Sequence, residues 1–161
     1  MFLLLGVYWP FFPALVEERT GSAAAVGILM TVFFWARLIW PPTFAFVTRH
    51  DPRPGRPMII MGLAFAITFI FFLGDFGIWS VALLTLLASA TIHSVLPLGE
   101  ARASRFARYG YFDYGSVRLW GSVAFILANL LGGAVFERFG ADGIVYWISG
   151  SACLLVLAIL L

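Results

Sequence analysis

The sequence predicts an all-α protein that crosses a membrane several times. Hydrophobic residues make up 62% of its 161 residues and charged residues only 11%, whereas a water-soluble domain is close to half apolar. The apolar residues also fall into long runs, and a membrane-spanning helix needs about 20 of them. This composition leaves no room for a soluble domain between the predicted spans.

Six apolar segments approach or reach the length of a span. In chain order they are residues 1–16, 23–47, 57–74, 78–98, 114–136 and 143–161. The first segment is short and has no charged residue before it, and the last runs apolar to the end. We therefore expect one domain, residues 1–161, truncated at both ends from a longer protein. A signal peptide is the alternative for residues 1–25, but that stretch lacks a basic start and is bulky where a cleavage site should be small and polar.

The segments repeat their features in threes. Segments 1 and 4 contain prolines, Pro10 and Pro13 in one and Pro97 in the other, which remove backbone hydrogen bonds from a helix. Segments 2 and 5 each contain an arginine, Arg37 and Arg118, while segments 3 and 6 contain no charge. A three-plus-three inverted repeat of this kind is typical of secondary transporters.

The connections between segments predict the orientation in the membrane. Six arginines lie in the connections 48–56 and 100–110, and only Arg19 and Arg138 lie in those on the other side. The arginine-rich side is expected to be cytoplasmic, together with the N-terminus. We expect an integral protein of a bacterial-type inner or plasma membrane. The net charge of +2 is too small, and its arginines too scattered, to indicate nucleic-acid binding.

Enzymatic and metal chemistry have little support in the sequence. Cys153 is the single cysteine and lies in an apolar run, so we expect a buried thiol, with no disulfide and no metal cluster. There is no G-x-S-G motif of an intramembrane protease and no H-E-x-x-H motif of a zinc protease. We expect a non-enzymatic protein without cofactors. A non-transporting fragment that acts as a membrane scaffold is the remaining alternative to a transporter.

Arg37 lies near the middle of segment 2. An arginine at that depth costs about 2.5 to 3.5 kcal/mol, and the cytoplasmic surface is roughly 15 Å of helix away, which is too far for its side chain to reach. We expect Arg37 to face the protein interior, paired with a carboxylate or stacked on Phe33 or Trp40.

A polar stripe is predicted at the end of segment 4. His93, Pro97 and Glu100 are spaced four and three apart, which places them on one helix face. Glu100 precedes Arg118 by 18 residues across a tight connection, so an ion pair is expected, with Asp113 as the competing partner of the arginine. His93 and Glu100 can carry protons; alternatively, His93 only bonds a neighbouring helix and Glu100 lies at the headgroups.

These residues resemble a known family. "YGSVRLWGSVAF" (114–125), "GVYWPFFPALVEERTGSAAAVGIL" (6–29) and "ARLIWPP" (36–42) are similar to the fifth, first and second helices of the phenylpropionate-transporter and lactose-permease branch of the major facilitator superfamily. The resemblance implies the N-terminal six-helix half of a twelve-helix transporter, the 3+3 half of the major facilitator fold. It also implies that Glu100 and Arg118 form a substrate-binding charge pair.

Further positions are assigned by the same resemblance. Gly121 matches a close-packing glycine, and Phe125 stands where the branch has a stacking tryptophan. Asp51 and Arg56 match a gating loop, although prolines interrupt it here. The expected function is secondary active transport of a small organic solute (an aromatic carboxylate, a sugar or a nucleoside-like compound), coupled to protons and driven by alternating access. The expected partners are the solute, protons, the lipid bilayer and a C-terminal half or second copy.

Overall fold

A computed structural model describes residues 1–48, 55–74 and 77–160, and these residues are almost entirely helical. The helices are α1 (Phe2–Thr20), α2 (Ala23–Thr48), α3 (Gly55–Ile70), α4 (Ile78–Arg108) and α5 (Tyr114–Leu160), and a short 3-10 turn, Phe71–Leu73, extends α3. No strand occurs in the described ranges. The predicted all-α class is confirmed.

Most of these helices are suited to a bilayer. By length and composition, α2, α4, α5 and the stretch Gly55–Leu73 could each cross a membrane. The 19-residue α1 does not meet the same test, because every 18-residue stretch of it includes Glu17, Glu18 and Arg19. The prolines of α1 and α4 lie inside continuous helix rather than ending it.

The sequence predicts six helices, and the described residues form five, because the last two predicted segments are joined without a loop. A straight helix of 47 residues would be about 70 Å long, more than twice the roughly 30 Å of hydrocarbon in a bilayer. Gly140 interrupts it with a non-helical backbone (φ 64°, ψ −156°). Near the start of α5, Gly121 lies against Phe2, and near its end Ile159 lies against Gly55. Both ends of α5 therefore lie where α1 and α3 begin, so its two stretches run in opposite directions.

The end of α1 holds the corner at Gly140. The Glu18 carboxylate accepts a hydrogen bond from the Ala141 N–H at 3.3 Å, and Arg19 forms an ion pair with Asp142. A free N–H at a helix start needs an acceptor, and Glu18 supplies one from a different helix. The corner is thus closed by side chains of α1 instead of by a connecting loop.

An aromatic cluster fills the centre of the bundle. Tyr8 of α1 is fully buried, and its ring centroid lies 5.0–5.6 Å from four other rings, those of Phe12, Phe33, Phe65 and Phe69. Helices α1 and α5 cross closely beside it, since a Cβ on Gly6 would come within 2.5 Å of the Phe125 carbonyl oxygen. The prediction of a buried Cys153 is wrong: this thiol is exposed, on an outward face of α5.

Replacing Gly140 by alanine is expected to destabilise the fold. Its φ and ψ fall in a region that is essentially restricted to glycine, so a side chain there costs about 1 to 3 kcal/mol. Gly150→Ala is the matched control, because Gly150 lies in the same helix and an added Cβ would meet nothing within 4 Å. Thermal unfolding in detergent should show a lower midpoint for Gly140→Ala only. Equal midpoints for the two variants would contradict the assigned corner.

Candidate functional site

Glu100, Tyr114 and Arg118 form a hydrogen-bonded cluster where α4 ends and α5 begins. Arg118 Nη1 lies 3.2 Å from Glu100 Oε2 and 2.9 Å from Tyr114 Oη. The Tyr114 hydroxyl in turn donates to the same Glu100 oxygen. The structure therefore brings together the two residues that the sequence analysis paired, and it adds a third.

Tyr114 completes the cluster because of its position on the helix. It precedes Arg118 by four residues, and residues four apart lie on the same helix face. Its hydroxyl accepts from the guanidinium and donates to the carboxylate, so it stabilises both charges at once. The sequence signal for this contact is the i, i+4 spacing of Tyr114 and Arg118 within the family motif.

This cluster is accessible rather than sealed in the core. The Glu100 side chain is 34% exposed and the Arg118 side chain 60% exposed. Both charges therefore keep part of their surface available to a polar group. Here a polar ligand can reach both charges without unfolding any helix.

Asp113 is not the partner of Arg118. Its carboxylate accepts the Ser116 N–H at 2.7 Å, which is the arrangement of a helix N-cap. Hydrogen bonds from the Ser116 side chain and backbone hold the pKa of the Asp113 carboxyl below its usual value. Asp113 thus caps the start of α5, and the hydrogen-bond partners of Arg118 are Glu100 and Tyr114.

Gly121 and Phe125 lie further along the same helix. The Phe2 ring lies so close to Gly121 that a Cβ there would come within 2.5 Å of two ring carbons. The Phe125 ring packs edge-to-face against Trp9 of α1, with 6.4 Å between centroids. Glycine at 121 therefore lets α1 approach α5. One helical turn further along α5, Phe125 also contacts α1.

A second polar location lies between α1, α2 and α4, and we call it the Arg37 chamber. It is a cavity of about 270 Å³. Its lining consists of aromatic and apolar side chains with two basic ones: Trp9, Phe12, Pro13, Met30, Phe33, Phe34, Arg37 and His93.

Arg37 has a different partner from those expected. Its guanidinium carbon lies 5.9 Å from the centroid of the Trp9 ring, so it stacks across helices on α1 and not on Phe33 or Trp40 of its own helix. Within the described ranges it forms no ion pair with a carboxylate. The prediction that Arg37 faces the interior of this bundle is wrong: the residue is exposed, and its partner among the described residues is an aromatic face.

His93 forms the inner wall of the chamber and is 3% exposed. Its Nδ1 lies 3.2 Å from Ser89 Oγ, and the Ser89 hydroxyl donates its one proton to the Phe33 carbonyl at 3.0 Å. Ser89 must therefore accept from the imidazole, so Nδ1 carries a proton. The other ring nitrogen, Nε2, is buried and has no partner among the described residues.

The two locations lie at different depths of the same bundle. His93 precedes Glu100 by seven residues on α4, and Phe125 follows Arg118 by seven on α5, which is about 10 Å in each case. Trp9 contacts both Phe125 and Arg37. The Arg37 chamber is therefore about 10 Å deeper than the Glu100 cluster.

The predicted gating residues are only partly described. Asp51 lies outside the described residues. Arg56 lies exposed in the first turn of α3, next to Gly55, whose added Cβ would come within 3.0 Å of Arg102 on α4. A group of three or more residues that could bind a metal is not found in the part of the chain that the structure describes.

Comparison with known proteins identifies the family. A family model described as "MFS_1 like family" matches residues 1–161. The chain belongs to the major facilitator superfamily. Its similar relatives include maltose permease of Geobacillus stearothermophilus, which is 30% identical over 91% of this chain. The resemblance drawn from the fifth-helix motif is confirmed.

Two other members of the superfamily are also similar. Lactose permease of Citrobacter freundii is 26% identical over 98% of this chain, and a protein named "Probable 3-phenylpropionic acid transporter" from Escherichia coli (strain K12) is 26% identical over 86%. The chain spans 36–39% of the length of these three relatives. They are permeases and transporters, which confirms the expected non-enzymatic class. No solved structure gives a significant match.

Asp113→Ala is expected to loosen the start of α5, whereas Asp113→Asn should keep the cap. Because the folded carboxyl has a lowered pKa, its contribution to stability is present above the ordinary value of 3.8 and is lost as the pH falls through the lower, folded value. Thermal midpoints measured at about pH 7 and about pH 3 should therefore separate Asp113→Ala from the unmodified protein at the higher pH. An Asp113→Ala midpoint equal to that of the unmodified protein at the higher pH would contradict the capping role.

Proposed function

We propose that this chain is the N-terminal, six-span half of a secondary active transporter that moves a small organic solute by alternating access. The two stretches of α5 on either side of Gly140 count as the fifth and sixth spans. The Glu100 end of the bundle faces the cytoplasm of a bacterial-type inner membrane. A C-terminal half or a second copy covers the exposed apolar faces of α2 and α5 and completes the central site.

The observation that carries this proposal is the accessible Glu100, Tyr114 and Arg118 cluster. Its three side chains come from two helices, two of them carry opposite charges, and those two remain partly exposed. Charged residues inside membrane spans mark substrate and ion pathways. A solute hydroxyl or carboxylate can join this cluster by accepting from Arg118 or donating to Glu100.

The same cluster provides a way to couple protons to the solute. While Glu100 is ionised, its oxygen accepts from both Arg118 and Tyr114. When a proton from water binds that carboxylate, Arg118 loses its counter-charge and its N–H groups turn to an oxygen of the solute. His93, about 10 Å deeper on α4, is a second proton-carrying group on the path.

Uptake by the full-length protein tests the transport function. Membrane vesicles are assayed with labelled aromatic acids, sugars and nucleosides, with and without a protonophore. We expect uptake of one class, abolished by the protonophore. Uptake that persists at full rate with the protonophore would overturn proton coupling, and no uptake of any class would support the scaffold alternative.

Arg118→Gln is expected to abolish solute binding while the protein still inserts into the membrane, because the neutral amide cannot balance Glu100 or a bound oxygen. Arg138→Gln is the matched control: Arg138 is an exposed arginine on the same helix, near the Gly140 corner. Equilibrium binding to purified protein should be lost in the first variant and retained in the second. Unchanged binding in Arg118→Gln would remove this residue from the site.

Tyr114→Phe is expected to weaken solute binding less than Arg118→Gln does. The variant removes the bridging hydroxyl and leaves the 3.2 Å contact between Arg118 and Glu100. One hydrogen bond to a charged group is worth about 1.5 to 3 kcal/mol, so affinity should fall roughly 10- to 100-fold. The binding assay is the one used for Arg118→Gln, and a loss as complete as in that variant would mean that the hydroxyl contacts the solute directly.

A further inference from the structure

The Arg37 chamber differs from the Glu100 cluster in its charge. Arg118 already has a carboxylate partner at 3.2 Å, so the cluster is close to neutral. Arg37 has an aromatic face as its partner, and the described residues give it no carboxylate. A ligand with a negative charge is therefore attracted to the chamber more than to the cluster.

The lining of the chamber limits the size and polarity of the part of the ligand that does not carry the charge. Apart from Arg37 and His93, its walls are aromatic rings, a methionine and a proline. Its volume of about 270 Å³ is below the roughly 300 to 1,000 Å³ of pockets for drug-sized ligands. An apolar body smaller than a disaccharide fits these walls, and one carboxylate balances one guanidinium, whereas a phosphate dianion would leave a charge without a partner.

The hydrogen bonds of the chamber leave Arg37 as its one anchoring donor with a permanent charge. His93 Nδ1–H donates to the Ser89 hydroxyl oxygen, and the Ser89 hydroxyl donates to the Phe33 carbonyl. The other titratable group near this wall is the buried Tyr8, which packs on Phe33. Trp9 is 41% exposed and holds the guanidinium by its face, which leaves the N–H edge of Arg37 free to donate to both oxygens of a carboxylate.

We propose that the Arg37 chamber binds the carboxylate of a small aromatic or similarly apolar monocarboxylic acid, with Arg37 as the specificity-determining residue. The inference rests on the proposed transport function in placing this chamber on the solute path. Under this proposal the two locations have different roles: Arg37 binds the carboxylate of the ligand, and the Glu100 cluster binds the coupled proton.

Equilibrium binding to the purified full-length protein in nanodiscs tests the proposal. Labelled 3-phenylpropanoate is the probe, and unlabelled 3-phenylpropanoate and its uncharged amide are the competitors. The unmodified protein should prefer the carboxylate. Arg37→Gln should bind the carboxylate roughly 10–100-fold more weakly and the amide unchanged, so that the preference disappears. Arg37→Lys, which keeps the charge, should retain part of it, and Arg138→Gln should behave as the unmodified protein.

The outcomes separate this proposal from the transport function. Equal binding of the carboxylate and the amide to the unmodified protein, a preference that survives in Arg37→Gln, or no binding of either compound would overturn the anion site. Vesicle uptake of a neutral sugar together with any of these results would leave the transport function standing. Arg37-dependent binding of the carboxylate without any vesicle uptake would support the site and contradict transport. If Arg37→Gln elutes as aggregate, a carboxylate preference in Arg37→Lys that is weaker than in the unmodified protein supports the site, and a preference as strong as in the unmodified protein overturns it.

Discussion

The cost of a polar group without a partner in hydrocarbon determines how this bundle is built. Several hydroxyls along the helices are satisfied locally: Thr31, Thr43 and Thr68 each donate to a carbonyl one turn earlier. Charges cannot be satisfied in that way, because no backbone group within one turn can neutralise them. Arg118 is therefore met by a carboxylate from the next helix, and Arg37 by an indole. Each charge thus fixes how two helices face each other, and the two basic sites of the bundle follow from this requirement.

Tertiary contacts that depend on spacing along the chain could be predicted from the sequence. Glu100 and Arg118 are separated by a short connection, so antiparallel neighbours had to bring them to the same end. The contact between Arg37 and Trp9 could not be predicted in this way, because it depends on the rotation of α1 and α2 about their axes. Phe33 and Trp40 lie four and three residues from Arg37 along the chain, and spacing alone does not rank them against a residue on another helix. The exposed Cys153 was mispredicted for the same reason: an apolar run gives no indication of which face is turned outward.

The fifth and sixth segments are joined directly at Gly140, and a contact from a distant part of the chain closes this junction. A break between two spans is normally indicated by polar residues, and residues 137–142 supply several. The helical backbone breaks at Gly140, and the N–H of the next residue, Ala141, is accepted by Glu18, which lies 123 residues earlier. The sequence indicates that a turn is needed there, but it does not show that a carboxylate from α1 would replace the loop. The position of the boundary is therefore predictable from the sequence to within a few residues, whereas its closure by a carboxylate of α1 is not.

Trp9 of α1 lies between a residue of α2 and a residue of α5. Its ring contacts Arg37 on one side and Phe125 on the other, and Phe125 is two helical turns from Arg118. A ligand that shifts the indole must therefore disturb α2 and α5 together, since both are in contact with the same rigid plane. An aromatic ring has no internal torsion to absorb such a displacement. Trp9 thus connects the Arg37 chamber to the helix that carries Arg118, and a smaller side chain at position 9 would remove both of these contacts at once.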